Sequence, residues 1–188
     1  MNKLPLFFFL LFLIFSKIDK TFAADNDVTS TSEDKITVAD HGDTITVFSG
    51  FTLGNLTQQQ KADINEKNNV SVTVNSGGEI RSSHNAVQGY DSDDLTVTNS
   101  GTIRAAGAKA INLKDTADST ITNNLGGIIR SGTGDTISGE TATGSTITNS
   151  GTIYSDDQRA LNFFETSTAT VTNNSSGHIY NSNTNEAI

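Results

Sequence analysis

Acidic side chains recur at a spacing of about 24 residues, and closely stacked carboxylates could bind a cation. The first series contains Asp91, Asp115 and Glu165, with Glu140 one place early, while Asp94 and Asp118 share a second position. Oxygen-rich clusters of this kind suit Ca²⁺. Most runs of charge, however, are solvated surfaces. We therefore predict that the chain has no metal site and that Ca²⁺ does not raise its melting temperature.

A second series combines cations and aromatic rings. Each member follows a recurrent isoleucine, and the series is Arg81, Arg104, Arg130, Tyr154 and Tyr180. Arginine and tyrosine are favoured in protein interfaces, and Arg130 could stack on Tyr154 as a cation–π pair. The series indicates a partner-binding stripe for a glycan or a host protein. The alternative is an exposed strand face built from ordinary β-forming residues.

Catalytic signatures are missing from the sequence. The spacings typical of zinc proteases, P-loops, nucleophile elbows and dinucleotide-binding folds do not occur. His41, His84 and His178 fall at unrelated positions near turn residues, which is typical of solvated surface histidines. We predict no catalytic, cofactor-binding or metal-binding residues, and hence a protein that is not an enzyme.

These residues are positioned by a repeat. Thr96–Ile103 returns as Thr146–Ile153, a looser copy without gaps runs from Thr73 to Ile80, and the copies at 120–129 and 170–179 have a turn two residues longer. Each unit starts with a β-branched triplet that alternates polar and apolar residues, the pattern of a half-buried strand. The following Asn-Ser-Gly predicts a turn. Such self-similarity is typical of solenoids.

Three series of apolar residues mark three strands in each unit. They are Val74, Val97, Ile121, Ile147 and Val171; Ile80, Ile103, Ile129, Ile153 and Ile179; and Val87, Ile111, Ile137, Leu161 and Ile188. From the third series to the next member of the first, the distance is always 10 residues. We predict an all-β, right-handed parallel β-helix of about five coils, in which stacking of neighbours forms the core. Stacked amides would form a ladder along Asn99, Asn123, Asn149 and Asn173.

Composition limits the partners. The chain has 188 residues, no cysteine and a formal net charge of −9. An acidic chain is expected to bind nucleic acid poorly, because such binding depends on Lys and Arg. It is also expected to bind anionic membranes poorly. The absence of cysteine excludes a disulfide framework and thiolate metal sites.

The chain divides into four segments. A basic start, an apolar run of 12 residues and Thr21-Phe22-Ala23 predict a signal peptide over residues 1–23. Residues 24–35 are polar and predicted as a disordered linker. Residues 36–69 are interpreted as an N-terminal cap or degenerate first coil, with 58–66 as a short helix or a long loop. Residues 70–188 hold the repeats, and the last coil is expected to break off at Ala187-Ile188, as in the front portion of a longer protein.

A signal peptide, a polar cap and Asn-Ser-Gly-Thr-Ile units of about 24 residues together resemble the passenger region of Gram-negative autotransporters. The resemblance implies a right-handed β-helix displayed at the cell surface or released outside, with a C-terminal translocator barrel that these residues do not include. It also implies a stalk or adhesin that contacts a host or environmental glycan or protein.

Two other functions are compatible with the same pattern. A β-helical polysaccharide lyase or hydrolase would need long loops carrying paired acids, whereas the connections here are short. An ice-binding solenoid would use the outward Thr-x-Thr pairs Thr96/Thr98, Thr120/Thr122, Thr146/Thr148 and Thr170/Thr172.

Overall fold

A computed structural model describes residues 25–30, 36–54, 62–165 and 167–183. These residues form an all-β solenoid of about six turns, in which three parallel sheets run along the length of the molecule. Every strand pairs with the equivalent strand of the preceding or following turn. The structure thus confirms the predicted parallel solenoid, while its right-handedness stays a prediction. The described residues include no helix that could cross a membrane.

Each sheet takes one strand from each turn. Sheet A contains β1 (Asp25–Val28), β3 (Thr44–Val47), β6 (Ser71–Val74), β9 (Thr96–Asn99), β12 (Thr120–Asn123), β15 (Ser145–Asn149) and β18 (Ala169–Asn173). Sheet B contains β4 (Thr52–Leu53), β7 (Glu79–Ser82), β10 (Thr102–Ala105), β13 (Ile128–Ser131), β16 (Thr152–Ser155) and β19 (His178–Asn181). Sheet C contains β2 (Ile36–Thr37), β5 (Ala62–Asn65), β8 (Val87–Tyr90), β11 (Ile111–Lys114), β14 (Ile137–Glu140) and β17 (Leu161–Phe164).

The core is a set of apolar columns inside the solenoid. Since successive side chains of a strand point to opposite faces, every second residue of sheets A and B points inward. Val97 and Ile121 of sheet A and Ile103 and Ile129 of sheet B are all buried. In sheet C one inward column alternates large and small residues, namely Ile64, Gly89, Leu113, Gly139 and Phe163. The two glycines leave room for the large side chains of the neighbouring turns. A Cβ on Gly139, for example, would overlap the Phe163 ring.

One predicted register was wrong. The predicted alignment of the repeats placed Val74 opposite Val97, but the structure pairs Val72 with Val97 and Val74 with Asn99. The turn after β6 therefore has four residues, 75–78, and belongs to the longer type. Both valines point inward and are fully buried, so the local alternation of residues fits either alignment. The isoleucines of the second series and the third series from Val87 to Leu161 align as predicted, and Ile188 lies outside the described residues.

The beginning of the chain also differs from expectation. Asp25–Val28, predicted as part of a disordered linker, is a strand that pairs in register with β3. The reason is the exposed edge of β3, which offers backbone partners to any adjacent segment, and the burial of Val28 against the core. Within residues 36–69, β3, β4 and β5 form a regular turn of the solenoid. The helix considered for 58–66 was wrong at 62–65, which are β5; residues 58–61 and the signal peptide lie outside the described residues.

The predicted asparagine ladder is confirmed. The Nδ2 atoms of Asn99, Asn123 and Asn149 each donate to the Oδ1 atom of the next asparagine at 2.8 Å, and the last acceptor is Asn173. The first three side chains are buried. The ladder replaces an apolar column, because the same inward position is Val28, Val47 and Val74 in the earlier turns.

Candidate functional site

The predicted Arg/Tyr stripe is a single column on the outer face of sheet B. Strand pairing places its five members directly above one another, in the order Arg81, Arg104, Arg130, Tyr154 and Tyr180. Four intervals of roughly 4.8 Å give the column a length of roughly 19 Å. Its residues point outward because each follows an inward-facing isoleucine in a strand with alternating orientation, as Arg104 follows the buried Ile103. We call this the sheet B column.

Two arginines of the sheet B column share one carboxylate. The Glu79 side chain lies 3.7 Å from Arg81 and 3.8 Å from Arg104, nitrogen to oxygen. The Nε atom of Arg81 also donates to the carbonyl oxygen of Gly54 at 3.0 Å. These ion pairs are partly exposed, and such pairs contribute little to stability, about 0–1 kcal/mol. Glu79 therefore orients the guanidinium groups without holding them tightly.

The other half of the column is a stack of planar groups. The Arg130 guanidinium lies over the Tyr154 ring, 5.2 Å from its centroid, which confirms the predicted cation–π pair. On the other side, the Tyr154 and Tyr180 rings stack with centroids 5.2 Å apart and planes within 6°. Arg130 also donates to the Asp156 carboxylate at 2.5 Å. The stack fixes the rotamers of three long side chains, so a ligand would not have to order them.

Sequence analysis missed an apolar flank of this column. Ile128 occupies an outward position that is threonine in the turns before and after it, Thr102 and Thr152. Its exposed fraction is 36%, and that of Leu125, in the adjoining turn, is 76%. A large apolar residue at an outward threonine position was the signal that could have identified it. The flank lies beside Arg130, at the centre of the column.

The acidic series has a backbone explanation. Asp91, Asp115 and Glu165 all adopt positive φ, at 49°, 53° and 61°, at the corner where sheet C leads into sheet A. The equivalent residue of the intervening turn is Thr141 at 54°, and Glu140 lies one position earlier, as its spacing indicated. Asp94 and Asp118 form a second left-handed position of the same corner. Aspartate and asparagine tolerate this conformation better than most residues.

Glu140 instead belongs to the outer face of sheet C. Its carboxylate accepts a hydrogen bond from the Lys114 Nζ atom at 2.6 Å. This hydrogen bond raises the pKa of Lys114 above its ordinary value, although partial burial opposes the shift. Among the residues that the structure describes, no three acidic or histidine side chains converge to hold a metal ion.

The threonine pairs form two outward rows on sheet A. Pairing in register aligns Thr96, Thr120, Thr146 and Thr170 in one row and their partners two residues later in the other. The rows continue through β6 and β3 with Ser71, Thr73, Thr44 and Thr46.

The three histidines do not converge; His41 accepts a hydrogen bond from the Asn68 backbone at its Nδ1 atom, at 2.9 Å.

One cavity of about 230 Å³ lies between sheets A and C at the last described turns, away from the sheet B column. It is lined by Arg159, Leu161, Asn162, Phe163, Ala169 and Val171. Its walls are mainly apolar.

When the chain was compared with known protein families, with characterised proteins and with solved structures, none of the three comparisons gave a significant match. The class of the protein is given by its fold, which is a parallel β-solenoid with three sheets.

Proposed function

We propose that this chain is a non-enzymatic, exported segment of an autotransporter-like passenger that acts as a stalk or adhesin at the surface of a Gram-negative bacterium. The observation that carries the proposal is the solenoid itself, with a continuous column of Arg and Tyr on one outer face. Stacked turns make an elongated body from little apolar sequence. They also present the same surface position repeatedly, which suits contact with an extended partner.

The connections between strands support a binding role over an enzymatic one. From β6 onward they are short, between two residues, as at 100–101, and five, as at 106–110. A polysaccharide lyase or hydrolase needs loops that build a cleft around two acids. The acidic residues at the corners serve a backbone conformation, which accounts for their spacing without catalysis.

Export and adhesion can be tested together. We expect the chain, expressed with residues 1–23, to be recovered outside the cytoplasm with Ala24 at its N-terminus. We also expect beads coated with the exported protein to adhere to epithelial cells or to polysaccharide-coated surfaces more than beads coated with albumin. Retention in the cytoplasm with residues 1–23 intact, or adhesion no greater than that of albumin beads, would contradict the proposal. Release of reducing or unsaturated ends from an acidic glycan would favour the lyase or hydrolase.

Ice binding is the second candidate, and the regular threonine rows of sheet A favour it. From β3 to β18 these rows contain only threonine and one serine, at intervals of roughly 4.8 Å between strands and roughly 6.6 Å along them. The discriminating measurement is thermal hysteresis. A hysteresis that Thr122→Lys abolishes would support this function, and freezing without hysteresis would exclude it.

A further inference from the structure

We propose that the sheet B column is a binding site for an acidic polysaccharide, that is, a sugar chain carrying carboxylate or sulfate groups. The proposal rests on the adhesin function proposed above and names its ligand class. Three features of the column support it, namely its positive charge, its stacked rings and its linear shape.

The column concentrates cations in an acidic protein. The chain has a net charge of −9, yet three of its four arginines lie in this one column. Among the described residues, their ion-pair partners are two carboxylates, Glu79 and Asp156. The column therefore keeps an excess of positive charge, and this part of the described surface attracts an anionic polymer.

Arginine is suited to the anionic groups in question. Its planar guanidinium donates two parallel hydrogen bonds to carboxylate or sulfate-like oxygens. Arg81 and Arg104 contact Glu79 only at 3.7 Å and 3.8 Å, and their side chains are about one third exposed, at 34% and 32%. A ligand carboxylate can thus add to, or replace, the shared Glu79 contact at little cost.

The tyrosine stack offers the second kind of contact. Tyr180 is 41% exposed and continues the planar stack formed by Arg130 and Tyr154. An aromatic ring combines an apolar body with a hydroxyl group, which matches a sugar ring with its apolar faces and hydroxyl edges. Ile128 and Leu125 add an apolar border beside Arg130. Cations and stacked rings in a single row provide both contacts for consecutive sugar units.

The shape of the site favours a polysaccharide over a folded protein. Protein interfaces are centred on anchor residues that fill desolvated pockets. The cavity described above is lined by residues of β17, β18 and the turn before β17, and by none of the column. The sheet B column is instead a row with one side chain per turn over roughly 19 Å, and such a row complements a polymer with repeating units.

The experiment measures binding of the full exported chain to three probes, polygalacturonate, dextran sulfate and neutral dextran, by affinity electrophoresis or biolayer interferometry. The test variant is Arg104→Gln, and the matched control is Arg159→Gln, which removes the same charge outside the column. We expect at least one acidic probe to bind, neutral dextran not to bind, and Arg104→Gln to weaken binding about 5- to 10-fold, in the range of one ordinary, partly exposed hydrogen bond. Arg159→Gln should leave binding unchanged. Raising the salt concentration should weaken binding, because exposed charges are screened.

Two variants of Tyr154 test the stacked rings. Tyr154→Phe keeps the ring and loses the hydroxyl, whereas Tyr154→Ala loses the ring and the hydroxyl. We expect the alanine variant to bind several-fold more weakly than the phenylalanine variant, with far-UV circular dichroism confirming the fold of each. Equal binding by Arg104→Gln and wild type, an equal loss in Arg159→Gln, or binding of neutral dextran would overturn the proposal. Bead adhesion separates the two levels: if wild-type beads adhere but the protein binds neither polygalacturonate nor dextran sulfate, this site is refuted and the adhesin is not. Wild-type protein that binds acidic probes without any bead adhesion would refute the adhesin but not the site.

Discussion

Replacing Asn123 by alanine should reveal how strongly the asparagine ladder joins neighbouring turns. The Asn123 side chain is 1% exposed. Its Nδ2 atom donates to the Asn149 side chain at 2.8 Å and to the carbonyl oxygens of Gly127 and Thr152 at 3.1 Å and 3.2 Å. Its Oδ1 atom accepts from Asn99 at 2.8 Å. The alanine variant loses all of these contacts at once.

The magnitude follows from counting donors and acceptors. Two amide protons and one acceptor oxygen amount to three hydrogen bonds, at about 1 kcal/mol each. The buried Oδ1 atom of Asn149 loses the Asn123 donor, which costs about 1 kcal/mol more. We therefore expect Asn123→Ala to lower the free energy of unfolding by about 3–4 kcal/mol.

Two further variants serve as controls. Asn173 is exposed and ends the described ladder, so Asn173→Ala should cost only about 1 kcal/mol. Asn123→Val should cost about 2 kcal/mol, since it fills the cavity but still leaves polar neighbours unpaired. Valine fits this position, because Val74 occupies it in the turn that pairs with Asn99.

Urea unfolding followed by far-UV circular dichroism measures all three variants, provided that the slope of the transition is unchanged. The reasoning would be refuted if Asn123→Ala and Asn173→Ala lost the same stability, or if Asn123→Val were as stable as wild type. Either result would mean that the buried amide ladder contributes no more than an apolar column does.

Three other substitutions test the corners and the outer face of sheet C. A Cβ at Gly151 would overlap backbone carbonyl oxygens of the preceding turn, so Gly151→Ala should lower the free energy of unfolding in urea by about 2–3 kcal/mol. The control is Gly126→Ala, because the Cβ position of Gly126 is open while its φ is 82°. This control should lose about 1 kcal/mol. Thr141→Asn should raise stability by about 0.5–1 kcal/mol, because a β-branched residue is strained at φ 54°. Glu140 raises the pKa of Lys114, so the stabilisation by this pair is complete below the ordinary lysine pKa and disappears as the pH rises through the higher folded value. Lys114→Met should therefore lose less stability than wild type as the pH rises from below to above the ordinary lysine pKa.

Each of these three has a contrary outcome. Equal effects at Gly151 and Gly126 would mean that crowding against the neighbouring turn is unimportant. A destabilised Thr141→Asn variant would show that the threonine hydroxyl, which bonds to Asp115 and to the Glu140 backbone, outweighs the strain. Identical alkaline pH profiles for Lys114→Met and wild type would contradict the assigned role of the Lys114–Glu140 pair.

The solenoid could be predicted from the sequence because its determinants are local. Threonine–isoleucine–threonine alternation specifies a strand with one inward side chain, and Asn-Ser-Gly specifies the turn that follows. Successive side chains of a strand point to opposite faces, so the residue after each inward isoleucine points outward, and the Arg/Tyr column could be predicted from the isoleucine series. The asparagine ladder followed in the same way from Asn99 and its equivalents.

Other features depend on partners that a local pattern does not contain. Val72 and Val74 both point inward, and only the constant distance of 10 residues from the preceding sheet C strand, here from Ala62, identifies Val72 as the partner of Val97. Asp25–Val28 has little strand propensity of its own and is a strand because β3 presents an edge. The acidic series was located from the sequence, but its positive φ was not predicted, because that backbone angle depends on the corner between sheets C and A.

The corner between sheets C and A has a consequence for tolerance to inserted residues. Backbone hydrogen bonds run through this corner from turn to turn, for example from Asp91 N to Lys114 O at 3.0 Å and from Asp118 N to Thr143 O at 2.9 Å. From β5 onward the distance across this corner is constant, as from Ala62 to Val72 and from Val87 to Val97, so an added residue there would disturb hydrogen bonds with the turns on both sides. The corner between sheets A and B already alternates between two residues, at Ser100–Gly101, and four, at 124–127. A foreign peptide, such as an antigenic epitope, should therefore be accommodated at Leu125–Gly126 and rejected at the C-to-A corner.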